Sequence, residues 1–232
     1  MKGILAAVAL AALASPPERL VLENFEKAPV GGLPPGWKTR RYGEAELPPY
    51  RIVEEGGNRF LRAEDRGENM MLYKEVRWNA REYPYLSFRI RIRAVPEGAD
   101  ETVEEKADSA AGVYLSYRRK LGIIPESVKF IWSGSLAAGS AFRRPGIGMP
   151  WTVVAGSGPA DGTWRTFVFK TDDVYRKTFG KDPGERPLGV GILSDANSTG
   201  SFAAADYDDI VVYRHAPSAV DEIRAILRLA ED

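Results

Sequence analysis

The side chains with the greatest chemical reach in this sequence are carboxylates and guanidiniums, not nucleophiles or soft metal ligands. Among 232 residues there is one histidine, His215, and no cysteine. Zinc and copper favour nitrogen and sulfur ligands, so an ordinary site for either is excluded. A Ser-His-Asp triad would have to use His215, a turn residue beside Pro217, and no Gly-x-Ser-x-Gly elbow is present. No Gly-x-Gly-x-x-Gly follows a strand and no phosphate loop occurs, which argues against nucleotide chemistry. Carboxylate catalysis needs only two acids on facing strands, but the Glu-x-Asp-x-x-Glu strand signature of laminarinase-like hydrolases is missing. No catalytic residue is assigned.

Binding chemistry has better candidates. Arg89, Arg91 and Arg93 occupy alternate positions of one segment and so share one face. Facing solvent, such a row pairs with acids across the sheet; lining a concave face, its planar forks suit the carboxylates or sulfates of an acidic glycan. Trp132, Trp151 and Trp164 each fall at a strand end, where an indole either stacks on a sugar ring or fills the rim of a core. Asp195, Asn197 and Thr199 alternate before Gly200 like half of a calcium loop; the same residue types also build tight turns by bonding their own backbone. The acids Asp100, Glu101, Glu104, Glu105 and Asp108 would gather a hard cation or form a solvated loop, and the second is expected because charge runs stay hydrated. The expected ligand-binding set is Arg89, Arg91, Arg93, Trp132, Asp195, Asn197 and Thr199.

These residues are positioned by strands. In Tyr85–Val95, Leu86, Phe88, Ile90, Ile92 and Ala94 alternate with Ser87 and the three arginines, the period of a strand with one buried face. Shorter segments of strand character run over 20–25, 50–54, 59–63, 70–76, 112–117, 127–132, 151–156, 163–170, 188–194 and 202–213. Glycine, proline, asparagine and aspartate punctuate them, the pattern of a sandwich or barrel. The expected fold is all-β, a two-sheet antiparallel sandwich of jelly-roll type. Two helices interrupt it. One is near 173–179, capped by Asp172 and stopped by Gly180; the other is C-terminal, near 219–230, with a capping-box-like start at Ser218 and Asp221. Leu136–Met149 is rich in glycine and proline and reads as a long surface loop.

The first residues read as an address. Met1-Lys2 gives a basic start, Gly3–Leu13 has no polar side chain, and Ala12-Leu13-Ala14 has the small-x-small cleavage form. Residues 1–14 are expected to be a signal peptide and 15–232 a single β-sandwich domain, periplasmic or secreted. The apolar run is too short to span a bilayer, which takes about 20 residues. Thirty-two basic residues balance 32 acidic ones, so a nucleic-acid partner, which demands a positive surplus, is not expected. With 44% hydrophobic residues the chain can build a core without disulfides.

Lys129-Phe130-Ile131-Trp132-Ser133, Phe179-Gly180 and Ser194-Asp195-Ala196-Asn197-Ser198-Thr199-Gly200 resemble, in order, motifs of the bacterial family called domain of unknown function 3047. The likeness runs from Trp37 to Tyr213. It departs at Lys106–Gly112, where the family usually has paired aspartates followed by an arginine. The resemblance implies export and a β-rich fold and brings no known activity. The ends of the chain, Glu23–Glu26 with Leu33–Trp37 and Asp206–Tyr213, look like those of carbohydrate-binding jelly rolls. In such modules the first and last strands are neighbours and often hold a structural calcium; the matching residues here are Glu26 and Asp208.

Together these features point to an exported, non-catalytic module that binds a polysaccharide or another envelope component. The alternatives are a carboxylate-dependent glycosidase or polysaccharide lyase, and a structural envelope protein that binds other proteins.

Overall fold

The computed structural model describes residues 17–41, 48–120, 124–184 and 186–217. The expected signal peptide and the expected C-terminal helix lie outside them. Thirteen strands are formed: β1 Arg19–Glu23, β2 Lys38–Arg41, β3 Tyr50–Glu55, β4 Asn58–Asp65, β5 Met70–Glu75, β6 Tyr85–Ala94, β7 Ala111–Lys120, β8 Ile124–Ser133, β9 Ala141–Phe142, β10 Trp151–Ser157, β11 Trp164–Lys170, β12 Gly189–Ile192 and β13 Ala203–Tyr213. One sheet has the order β11-β6-β13-β4-β3, with β1 also paired to β13; the other has the order β2-β5-β12-β7-β8-β10-β9. The chain is mostly β, and its two sheets form a sandwich.

Alternation in the sequence decides which face of each strand is buried. In β6, Leu86, Phe88, Ile90 and Ile92 all point inward and are essentially inaccessible. Between the sheets Phe88 meets Phe130, Phe167 and Phe169, with ring centroids 4.2–6.0 Å apart within the group. Offset and tilted rings of this kind add to the large area that each aromatic buries. Tyr207 reaches across the core from β13: its hydroxyl lies 2.8 Å from Ser194 Oγ and accepts the N–H of Gly112 at 3.2 Å. That contact ties the two sheets together beside the site described below.

Three details depart from the sequence reading. The seven-stranded sheet is mixed, because β8 and β10 run parallel; the crossover 134–150 connects them and adds the edge strand β9 against β10. The helix, α1 Thr171–Phe179, begins one residue before Asp172. Asp172 is therefore not its cap, and instead accepts from Arg176 Nη2 at 2.8 Å across one turn, a pairing that supports a helix surface. Gly180 ends the helix at φ 68°, as expected, its N–H donating to Arg176 O at 2.9 Å. No described helix is long and apolar enough to cross a membrane.

Candidate functional site

The arginine ladder lies on the outer face of the six-stranded sheet and is occupied by acids. Arg91 Nε donates to Asp206 Oδ2 at 2.7 Å and its Nη2 to Glu55 at 2.8 Å. Arg62 grips the same two acids, through Nε on Asp206 at 2.7 Å and Nη2 on Glu55 at 2.9 Å. Arg89 bonds Asp209 at 3.0 Å, and Arg93 stands 3.7 Å from Asp206. The Arg91 guanidinium lies 5.0 Å from the Phe60 ring and 4.9 Å from that of Trp164, and Arg89 flanks the same indole at 5.0 Å. Asp206 is fully buried beneath them. This is the cross-strand pairing expected of a solvent-facing row, with cation–π contacts added.

Trp132 turns into the core. It is 4% exposed, packs edge-on to Phe167 and donates its indole N–H to Gly158 O at 2.9 Å. It fills the rim and offers no platform to a sugar. The first and last strands do pair, Leu20 opposite Val212, but Glu26 and Asp208 have other business. Glu26 accepts the N–H of Arg59 at 3.2 Å. Asp208 accepts from Asn58 Nδ2 at 2.9 Å and from the N–H of Asp209 at 2.8 Å, with Arg89 at 3.8 Å. Hydrogen-bond donors and a guanidinium around a carboxylate do not suit a calcium ion, which takes six to eight oxygens. Among the described residues no group of three or more histidine, aspartate or glutamate side chains could hold a metal ion.

Polar groups converge instead on the seven-stranded sheet, around a residue that the sequence reading passed over. Lys129 occupies an outward position of β8 between Val128 and Phe130, yet it is buried. Its Nζ donates to Ser109 Oγ at 2.9 Å and sits 5.6 Å from the Tyr114 ring. Asp195 is brought beside it by a two-residue bridge to Ser109, in which each N–H bonds the other's carbonyl at 3.1–3.2 Å. Glu101 and Asp108 come from the loop expected to be solvated, and both are buried. Asp108 takes the backbone N–H groups of Ser198 and Thr199 at 3.0 and 2.7 Å, and the Thr199 hydroxyl at 2.6 Å. Glu101 accepts from Ser133 Oγ at 2.8 Å. The Asp195, Asn197 and Thr199 series therefore divides: Asp195 faces Lys129, Thr199 closes a turn on Asp108, and Asn197 is exposed.

Burial sets the electrostatics here. It pushes the Lys129 ammonium down, against the opposing pull of Asp195 and Glu101. Asp195 is pushed up by burial and held back by Lys129; Glu101 is pushed up by burial and held back by the Ser133 hydroxyl. Asp195 Oδ1 and Glu101 Oε1 are both sequestered without a hydrogen-bond partner. An unpaired buried carboxylate is costly, so such a group favours its protonated form. Arg144, from the loop over β9, adds positive charge near Asp195.

A row of side chains crosses the same outer face. Register sets Tyr73 opposite Gly191, Gly191 opposite Tyr114, Tyr114 opposite Lys129 and Lys129 opposite Thr152. Tyr73 and Tyr114 are partly exposed. Two strand spacings put them about 10 Å apart. Gly191 between them has no side chain, and the Met71 methyl lies 2.8 Å from where its Cβ would stand. Tyr73, Met71 and Tyr114 thus make one apolar floor that ends at Lys129 and Asp195. A lysine set within the apolar run Val128–Trp132 of β8 was the signal in the sequence that marked this end.

A family model described as protein of unknown function, DUF3047, matches residues 35–211. The chain belongs to this family. The match takes in β2 to β12 and every residue of the floor and the polar cluster. Several solved structures are similar to this DUF3047 chain in part. A family 30 carbohydrate-binding module of a Clostridium thermocellum cellulosomal cellulase is 15% identical, with 83% of this chain and 96% of that one covered and a TM-score of 0.44. A structure from a study of carbohydrate-binding modules of the β-sandwich superfamily is 15% identical, with 82% and 60% covered and a TM-score of 0.39. The glycoside hydrolase domain of Endo-D from Streptococcus pneumoniae is 10% identical, with 78% and 22% covered and a TM-score of 0.41. The DUF3047 chain thus spans less than two thirds of the last two. No curated protein sequence matches it.

Proposed function

We propose that this protein is an exported, non-catalytic module that binds a saccharide across the outer face of its seven-stranded sheet. The observation that carries the reading is the floor of Tyr73, Met71 and Tyr114 on either side of Gly191. Partly exposed aromatic rings on one sheet face, carried by strands about 10 Å apart, offer stacking surfaces to successive rings of one oligosaccharide. Tyrosine does this at low entropic cost, because its apolar body and polar tip are fixed by two torsions. Lys129, with Arg144 near it, supplies positive charge at one end of the floor, which favours an acidic sugar there. Export rests on the sequence of residues 1–14.

A second reading is favoured by one observation: Asp195 and Glu101 are both pushed up by burial beside Lys129. A carboxyl group whose proton is held more tightly by burial is the kind that a glycosidase uses to protonate its leaving group. One set of measurements separates the two. On a glycan array the wild type is expected to bind, and Tyr73→Ala and Tyr114→Ala each to lose about tenfold in affinity, on the order of 1.4 kcal/mol, while keeping the wild-type circular dichroism spectrum. A reducing-end assay on the bound glycan is expected to show no release. Release that Asp195→Asn or Glu101→Gln abolishes would establish the hydrolase. Absence of binding to any glycan would refute both.

A further inference from the structure

A cleft of about 330 Å³ lies away from the polar cluster, where β5 has ended and the chain approaches β12, and it is lined by Arg77, Trp78, Asn79 and Arg186. That volume is at the lower end of the range for small-ligand pockets. Every polar group that this lining has to spare is a donor. Arg77 and Arg186 are both exposed, and among the described residues neither has an acidic partner. The nearby acids are engaged elsewhere: Glu75 pairs with Lys38 at 3.0 Å, and Asp182 lies 3.7 Å from Arg81. The Asn79 side-chain oxygen already accepts the N–H groups of Arg81 and Glu82, at 3.0 and 3.4 Å, which leaves its amide NH2. Trp78 is 6% exposed and packs in the core, yet its indole N–H has no hydrogen-bond partner. The other buried tryptophans satisfy theirs: Trp37 on Glu23 Oε2 and Trp132 on Gly158 O, both at 2.9 Å.

We infer that this cleft is an oxyanion-binding site, taking a carboxylate, sulfate or phosphate group between Arg77 and Arg186, with the Trp78 indole and the Asn79 amide as further donors. Two guanidiniums with no acidic partner among the described residues place positive charge at the cleft, and their planar forks match the paired oxygens of an oxyanion. A sequestered N–H that goes unpaired costs stability unless a ligand accepts from it. The inference stands apart from the sheet-face reading, since it shares no residue with the floor and requires an anion rather than a ring.

Calorimetric titration of the full chain with sodium sulfate, sodium phosphate and sodium glucuronate, at constant ionic strength and with glucose as control, tests it. Saturable binding of at least one anion is expected, with none for glucose. Preference for glucuronate would assign the group to a sugar acid, and preference for sulfate or phosphate to an inorganic ion or an ester. Arg77→Gln and Arg186→Gln are surface changes expected to keep the melting temperature and to weaken binding about tenfold each. In a proton–nitrogen spectrum the indole signal that disappears in Trp78→Phe is expected to be the one that moves on titration. Affinity equal in both arginine variants and the wild type, an unmoved Trp78 signal, or no saturable binding of any anion would overturn the inference.

Discussion

A Cβ atom on Gly112 would stand 2.7 Å from Lys129 Cε, so the glycine on β7 is what lets the lysine on β8 lie across the sheet to Ser109. The same Cβ would meet the Leu193 carbonyl oxygen at 3.0 Å, a backbone atom with little freedom to retreat. Gly112→Ala is therefore expected to lower stability by about 1–3 kcal/mol, as overpacked sites do. The denaturant midpoint should fall with an unchanged slope. A midpoint equal to wild type would mean that Lys129 has another place to lie.

Lys129→Met keeps most of the stem volume and removes the charge that opposes Asp195 and Glu101. With the ammonium gone, both carboxyls are pushed further up, because Lys129 is one of the influences holding each down. The variant is expected to lose more melting temperature at pH 8, where the acids are driven to ionise, than at pH 5. An equal loss at both values would show that the carboxyls do not feel the lysine.

Burial pushes the Asp65 carboxyl up to about 7 and that of Asp208 up to about 6. Aspartate in an unfolded chain titrates near 4, that is about 3.9. Between these values the folded protein holds more protons than the unfolded one, so the stability these groups give is complete below about pH 4 and is lost as pH rises through about 6 to 7. Glu23, Glu55 and Glu64 are shifted down, so the stability they give is present above the ordinary glutamate range and is lost as pH falls below it. The melting temperature is expected to be highest at the lower edge of that window, about pH 4 to 5, where both sets of carboxyls contribute, and to decline by pH 8. Asp65→Asn should flatten the decline; a profile that rises from pH 5 to pH 8 would contradict the argument.

Arg91→Ala strips one guanidinium from buried Asp206 and uncovers Phe60 and Trp164. Breaking a buried pair costs about 3–5 kcal/mol, and the lower end is expected because Arg62 still holds Asp206. Binding to a saccharide on the other sheet should be unchanged. A variant of normal stability that loses saccharide binding would return the ladder to the role of a ligand site.

The strands were legible wherever one face is buried and the other wet. β6 could be traced residue by residue because its alternation is strict, and the glycine-bounded segments around it followed. β2 and β9 escaped, being four and two residues long, too short for a period. The parallel pairing of β8 and β10 left no local mark, since it depends on how the 134–150 crossover travels. The site was harder to read for a related reason. Arg89, Arg91 and Arg93 announce themselves by spacing, but their acids come from β3 and β13, distant in sequence. Lys129, Ser109, Glu101 and Asp195 have no shared spacing at all; the bridge between residues 109 and 195 brings in Asp195, and the Ser133 hydroxyl on β8 holds Glu101. Composition marked Glu101 and Asp108 as solvated, and folding buried both by giving them donors or hydroxyls as partners.

The pairing of β1 with β13 has a consequence for engineering. Arg19 stands opposite Tyr213, and the N–H of Arg214 reaches back to Glu18 O at 3.0 Å. The chain thus enters and leaves the sandwich through one doorway, side by side. A short splice between Glu18 and Arg214, with the chain reopened at the exposed Gly56-Gly57 turn, would give a circularly permuted protein in which every rung between β1 and β13 is kept. The same doorway allows the unit to be grafted into a loop of a host protein without prising the host's loop ends apart.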